Sequence, residues 1–188
     1  MKKSILFTVF ILTGYSLLAQ TNKSLFFGAS ASADFGRFQD RIEITPTIAF
    51  RIVPKTYIGL GTTVAFYSTN NTIYEYDNDN TTEIETKDRI WYLGGEIFLR
   101  FVPFEQKQTV IKNIFFQSSY EAIFGNGNYK DQSGNYDYKT DNYTPFVGIG
   151  YKQPLSEKIS LGILLSFKLN NEADSPYRNP MIRIALEF

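Results

Sequence analysis

The sequence contains no cysteine and no histidine. Without cysteine the chain forms no disulfide, offers no thiol nucleophile and carries no lipid-anchored cysteine. Without histidine it lacks the side chain that most readily supplies a general base near neutral pH, as Ser–His hydrolysis requires. The two absences together leave zinc poorly served, because zinc sites are built mainly from His and Cys. Beyond residue 20 no apolar run approaches the length of a membrane-spanning helix, about 20 residues. Charge of one sign is not in excess either, with 19 Lys and Arg against 19 Asp and Glu. No basic patch points to nucleic acid.

What is present begins with an export signal. Lys2 and Lys3 precede a mostly apolar stretch from Ile5 to Leu18, which ends in Leu17-Leu18-Ala19-Gln20. A basic start, a short apolar centre and a small residue at the end are the layout of a secretory signal peptide. Residues 1–20 are therefore expected to be cleaved after Ala19 or Gln20, leaving 21–188 as one domain; a retained N-terminal anchor is the alternative. Losing the two lysines leaves 17 basic against 19 acidic residues. Aromatics are abundant, with 13 Tyr and 17 Phe, and membrane barrels place aromatics at both interfaces.

A bilayer can also be crossed by strands of about 9–11 residues, whose mark is alternation of apolar and polar side chains. From Arg41 to Ile52 one parity reads Ile42, Ile44, Pro46, Ile48, Phe50, Ile52, and the other Arg41, Glu43, Thr45, Thr47, Ala49, Arg51. Successive strand residues point to opposite faces, so this segment has one greasy and one polar face. Seven further segments follow the rule: 25–35, 57–67, 90–101, 113–124, 143–152, 158–169 and 181–188. The links around Pro54-Lys55, Pro103–Gln108 and Pro154–Glu157 are short, and those at Ser68–Asp88, Asn126–Asn142 and Asn170–Pro180 are long. The predicted fold is all-β, an eight-stranded antiparallel up-and-down transmembrane barrel with short turns in the periplasm and long loops outside. Pro46 and Pro145 fall inside predicted strands and are read as bulges, because proline removes a ladder hydrogen bond.

These features resemble the small outer-membrane barrel family that includes the OmpA transmembrane domain and the OmpX-like proteins. The resemblance covers roughly residues 24–188. It rests on the eight-strand rhythm and on the last strand, where Ile182, Ile184, Leu186 and Phe188 alternate up to a terminal phenylalanine. It implies that these four residues are the signal read by the barrel assembly machinery, and that the chain resides in the outer membrane of a Gram-negative cell. It also makes the missing histidine informative, because the enzymes among outer-membrane barrels look histidine-dependent. No catalytic, cofactor or metal residue is assigned, and the chain is read as a non-enzyme that needs no cofactor.

The polar parity carries Asp34, Glu43, Glu96, Glu121 and Glu187, with Arg51, Arg100, Lys152, Lys168 and Arg183. Arg41 and Lys158 share that parity but open their strands and are assigned to solvent. An eight-stranded barrel is just wide enough for side chains to fill, and charges away from bulk water must pair. The ten residues are read as an interior ion-pair network, with Arg100 and Glu187 as one pair; a proton or ion path is the alternative. Glu96 and Glu121 could instead act as a carboxylate pair. Inward Gly162 is expected to reject bulk. The acidic stretch 68–88 contains Asp77-Asn78-Asp79-Asn80 but lacks the glycine and glutamate of a calcium loop, so a solvated loop is expected there. Tyr129, Tyr136 and Tyr138 suit an adaptable recognition surface, and they also suit a plain surface loop. The expected role is envelope structure or surface interaction and adhesion, with outer-membrane lipid, the assembly machinery and an unidentified extracellular ligand as partners. The rivals are a narrow pore and a soluble lipocalin-like carrier.

Overall fold

The computed structural model describes residues 25–35, 39–77, 80–105, 110–131, 134–170, 176–177 and 179–188. The expected signal segment, residues 1–20, lies outside the described residues. Eight strands follow one another: β1 (Leu25–Phe35), β2 (Gln39–Val53), β3 (Thr56–Asp77), β4 (Asn80–Phe101), β5 (Ile114–Asp131), β6 (Gly134–Pro154), β7 (Ser160–Lys168) and β8 (Met181–Glu187). Each pairs antiparallel with the next, and β8 pairs with β1, so the sheet is a closed barrel. Closure gives every strand a neighbour on both sides over at least part of its length, as a sheet lying in hydrocarbon needs.

Alternation places the apolar parity outside. On β4 the outward residues run from Phe101 through Leu99, Ile97 and Leu93 to Trp91, each about half exposed, while Arg100, Phe98, Glu96 and Tyr92 between them are buried. From Phe101 to Trp91 is 10 residue steps. At about 3.3 Å per step and a tilt near 40°, this band stands roughly 25 Å tall, the height of a hydrocarbon core. Phe66 and Trp91 pack with ring centroids 4.9 Å apart at its upper rim, and Phe101 and Phe116 pair in register at the lower rim.

Two expected loops are strands instead. β3 and β4 stay in register past Tyr67↔Ile90 as far as Asp77↔Asn80. β5 and β6 continue through Asn126↔Lys139 to Asp131↔Gly134. The segments 68–88 and 126–142 are thus two hairpins rising beyond the apolar band. Only the link from Leu169 to Pro180 remains a long loop on this side, and part of it lies outside the described residues.

The prolines also differ from expectation. Pro46 pairs with Ala29, and the β2–β3 register is the same on either side of it, Ile44↔Val64 and Thr47↔Gly61. Pro145 pairs with Tyr120 in an unbroken β5–β6 register. Neither is a bulge. The register shift in β2 falls between Arg51 and Val53, beside the turn. In that turn Lys55 has φ of 69°, a left-handed conformation that costs a residue with a Cβ about 1–2 kcal/mol. Glycine escapes this cost but loses more entropy on folding, by roughly 0.5–1 kcal/mol. Lys55→Gly is therefore expected to raise the unfolding free energy by about 0.5–1 kcal/mol, measured by urea unfolding from lipid vesicles. The Val102 amide, which donates to the residue-55 carbonyl at 2.8 Å, keeps its acceptor in that variant.

The β1–β8 seam is the shortest ladder. It runs from Gly28↔Glu187 to Ala31↔Ile184, with reciprocal amide–carbonyl bonds between Phe27 and Phe188 below it. Above Ala31 the two strands continue without pairing. A cavity of about 350 Å3 lies there, lined by Ser32, Asp34, Arg41 and Met181 among others.

Candidate functional site

The inward parity fills the barrel in layers. At the end that bears the long hairpins, Ala65, Ile90, Tyr92, Ile123, Phe146 and Met181 form an apolar plug. Tyr177 joins it from the β7–β8 loop, its ring edge-on to Phe146 at 5.1 Å. Above the apolar band Tyr138 donates to Asp88 at 2.5 Å. Burial first, and then that carboxylate, hold the Tyr138 hydroxyl well above its ordinary pKa.

Below the plug lies a charged layer centred on Arg183, which is 1% exposed. Its two terminal nitrogens donate to Glu96 at 3.0 Å and Glu121 at 3.2 Å. Its Nε stands 3.2 Å from Glu43, off the line that a hydrogen bond needs. Arg41 pairs with Glu43 and lies 4.0 Å over the Tyr177 ring. The Tyr177 hydroxyl donates to Glu121, which also accepts from Thr63 at 2.5 Å. Five strands therefore meet in one cluster: β2 through Arg41 and Glu43, β3 through Thr63, β4 through Glu96, β5 through Glu121 and β8 through Arg183.

A second charged layer lies toward the opposite end. Arg100 and Lys152 both pair with Glu187, the lysine at 2.6 Å, and Arg100 Nε donates to Gln117 at 3.0 Å. Phe115 lies 4.3 Å from the Arg100 guanidinium, with Phe26 and Phe98 further out. Between the two layers is a cavity of about 30 Å3 bounded by Glu96, Phe98, Arg100, Phe115 and Arg183, room for a water or two. At the mouth Arg51 pairs with Glu105, and Tyr57 donates to the same carboxylate at 3.0 Å.

Of the ten lumen residues named from sequence, Glu43, Glu96, Glu121 and Arg183 come together in one cluster. Arg100, Lys152 and Glu187 come together in another. Arg51 stands at the mouth, and Asp34 and Lys168 are half-buried near the hairpin ends of their strands. Arg41 overturns its assignment to solvent: at 3% exposure it belongs to the lumen, because β2 starts earlier, at Gln39. Lys158 is exposed. Glu96 and Glu121 face each other in register, but both lie against Arg183, so neither has the freedom of an acid–base pair. Among the described residues no group of His, Cys, Asp and Glu is arranged to hold a metal ion. Ile182, Ile184, Leu186 and Phe188 are all exposed on the outer face.

Sequence reasoning missed six contributors, four of them phenylalanines. Phe26, Phe98, Phe115 and Phe146 fill much of the lumen, and the polar parity of their strands was the signal that places them there. Tyr177 and Glu105 sit in links, where no parity applies. The aromatics also explain a reversal among the glycines. A Cβ on Gly59 would stand 2.1 Å from the Phe98 ring, whereas one on Gly162 would meet Ala185 at an ordinary 3.6 Å. A single Cβ therefore fits at Gly162, which borders the small cavity. Gly59→Ala is expected to cost about 1–3 kcal/mol through displacement of Phe98, and Gly162→Ala to stay within about 0.5 kcal/mol of wild type, in unfolding from vesicles.

No protein-family model matches the chain, and no curated protein sequence matches it. Several solved structures are similar in shape. The N-terminal β-barrel domain of Pseudomonas aeruginosa OprF is 11% identical over 89% of this chain and 97% of that one, with a TM-score of 0.45. A major outer membrane protein from Thermus thermophilus is 13% identical over 88% and 99%, with a TM-score of 0.49. Ail of Yersinia pestis, in complex with the heparin analogue sucrose octasulfate, is 8% identical over 88% and 97%, with a TM-score of 0.39. The strand register given above establishes the barrel without them.

Proposed function

We propose that this chain is a non-enzymatic outer-membrane barrel, exported by its signal peptide and inserted by the barrel assembly machinery, with a closed lumen and a working surface at its projecting hairpins. The observation that carries this is the inversion of the usual protein pattern, with isoleucine, leucine and phenylalanine outside and arginine and glutamate inside. An exterior band of this height matches hydrocarbon and would aggregate in water. A lipocalin-like carrier needs the opposite arrangement, an apolar interior that receives the ligand. Plug, ion-paired layers and aromatic rings fill the middle of the barrel, where the cavity between the two charged layers is about 30 Å3, which argues for structure and against a water column. The hairpins 68–88 and 126–142 reach past the band and are rich in Asn, Asp, Thr and Tyr, composition that suits contact with an extracellular partner. Envelope structure and surface adhesion are the two roles this arrangement serves.

Two measurements test the reading together. Refolded protein in planar bilayers is expected to give no steady, ion-selective conductance. Single cysteines at Asp77, Asn135 and Asp174 are expected to react with an impermeant maleimide on intact cells, and those at Lys55, Gln106 and Ser156 only after the outer membrane is breached. A steady selective conductance would replace the closed barrel by a narrow pore. Labelling confined to Lys55, Gln106 and Ser156 on intact cells would invert the topology.

A further inference from the structure

Among the described residues the lower lumen has more cations than carboxylates, with Arg51, Arg100, Lys112 and Lys152 against Glu105 and Glu187. Arg100 and Lys152 share the single carboxylate of Glu187. At the mouth Arg51 and Glu105 balance each other, and exposed Lys112 stands nearby on the 3-10 turn. The three-carboxylate cluster around Arg183 has the opposite surplus, but it lies beyond the small cavity lined by Phe98 and Phe115. A partly desolvated cation without a full counter-charge draws one from its surroundings. The surroundings here are an open vestibule of about 260 Å3, lined by Arg100, Lys112 and Lys152 and by Glu105, whose carboxylate is engaged by Arg51, and walled by Phe26, Tyr57 and Phe115. Its lining consists of inward-facing strand residues and turn residues, with none from the lipid-facing parity. The aromatic walls already hold the cations, with Arg100 against Phe115 at 4.3 Å and Lys152 Nζ against Phe26 at 5.4 Å.

We infer that this vestibule is a binding site for a small soluble oxyanion, a carboxylate or phosphate carried on a flat apolar group, entering from the end of the barrel that bears the short turns. Arg100 and Lys152 take the oxyanion, and Phe26, Tyr57 and Phe115 cover the apolar part. The volume is slightly below the roughly 300–1,000 Å3 of ordinary small-molecule pockets, which limits the ligand to about the size of one substituted ring. The inference concerns the barrel mouth itself and does not depend on which side of the membrane that mouth faces.

The test is calorimetric titration of the refolded full chain in zwitterionic micelles with benzoate and with acetate. Benzoate is expected to bind one to one and more tightly than acetate, with affinity falling as salt rises. Lys152→Ala removes a partly exposed charge-assisted donor and is expected to weaken benzoate about tenfold or more, while far-UV circular dichroism stays that of the folded barrel. Lys112→Ala, at the rim, is expected to weaken it less. In vesicles containing phosphatidylglycerol the benzoate affinity is expected to match that in phosphatidylcholine, because no lining residue faces lipid. Linear, unsaturable heats, or an affinity unchanged by Lys152→Ala, would overturn the site. Equal affinities for acetate and benzoate would overturn the role of the aromatic walls. Displacement of benzoate by phosphatidylglycerol would assign the vestibule to a lipid headgroup and overturn the soluble ligand.

Discussion

Replacing Arg183 by leucine is expected to lower the unfolding free energy of the barrel by about 3–5 kcal/mol, the largest effect of any single side-chain removal considered. Among the described residues Arg183 is the one cation that pairs with Glu43, Glu96 and Glu121 together, on three different strands. Its loss would leave three buried carboxylates facing Arg41 as their remaining cation. Leucine would also abandon the ring of Phe146, 5.3 Å from the guanidinium. Arg51→Leu is the control. Its ion pair with Glu105 is about one-third exposed on both sides, where such pairs contribute only about 0–1 kcal/mol. Urea unfolding of both variants from phosphatidylcholine vesicles gives the comparison. If Arg183→Leu costs no more than Arg51→Leu, the central charges are solvated and the lumen is wet.

Ile163→Arg is expected to cost about 2–4 kcal/mol in the same assay, the depth-dependent penalty for an arginine on the lipid face of a barrel. Ile163 points outward in the middle of β7, half exposed, between Tyr151 on β6 and Ile184 on β8. Its chain neighbour Gly162 points inward beside a cavity, so alanine there is nearly neutral. Adjacent residues with such different responses are a signature of a two-faced strand in lipid. A near-zero cost for Ile163→Arg would mean that the apolar parity is not immersed in hydrocarbon.

The membrane-spanning part of every strand was legible because one face meets lipid and the other meets the lumen, and that contrast writes itself into alternate residues. In the sequence of 68–88 both parities are mostly polar, so the apolar alternation disappears while the backbone pairing continues. Thr72-Ile73-Tyr74 and Thr81-Thr82 carried β propensity there, a weaker cue than periodicity. Arg41 was misplaced for the same reason, since it stands where the predicted strand began and the real one was already under way. The charged members of the lumen announced themselves by parity. Their grouping did not, because which glutamate meets which arginine depends on strand tilt and on side-chain length across the ring. Tyr177 was out of reach of any periodic argument, since a loop residue that folds back into a barrel leaves no rhythm.

The seam between β1 and β8 bears on how the chain reaches its ring. Every other ladder joins sequence neighbours, and the largest, β3–β4, zips without interruption from Thr56↔Phe101 to Asp77↔Asn80. Gly28 and Glu187, by contrast, lie at opposite ends of the chain and share a ladder of four register pairs. Hairpins close small loops quickly, whereas a distant pairing must first meet the entropy of a long one. Seven local ladders are therefore expected to form early and circularisation last. An open sheet would expose two unsatisfied edges to the bilayer, so the expected slow step is the meeting of β1 and β8. Because their pairing ends at Ala31 and Ile184, closure is expected to begin at the Phe27–Phe188 end.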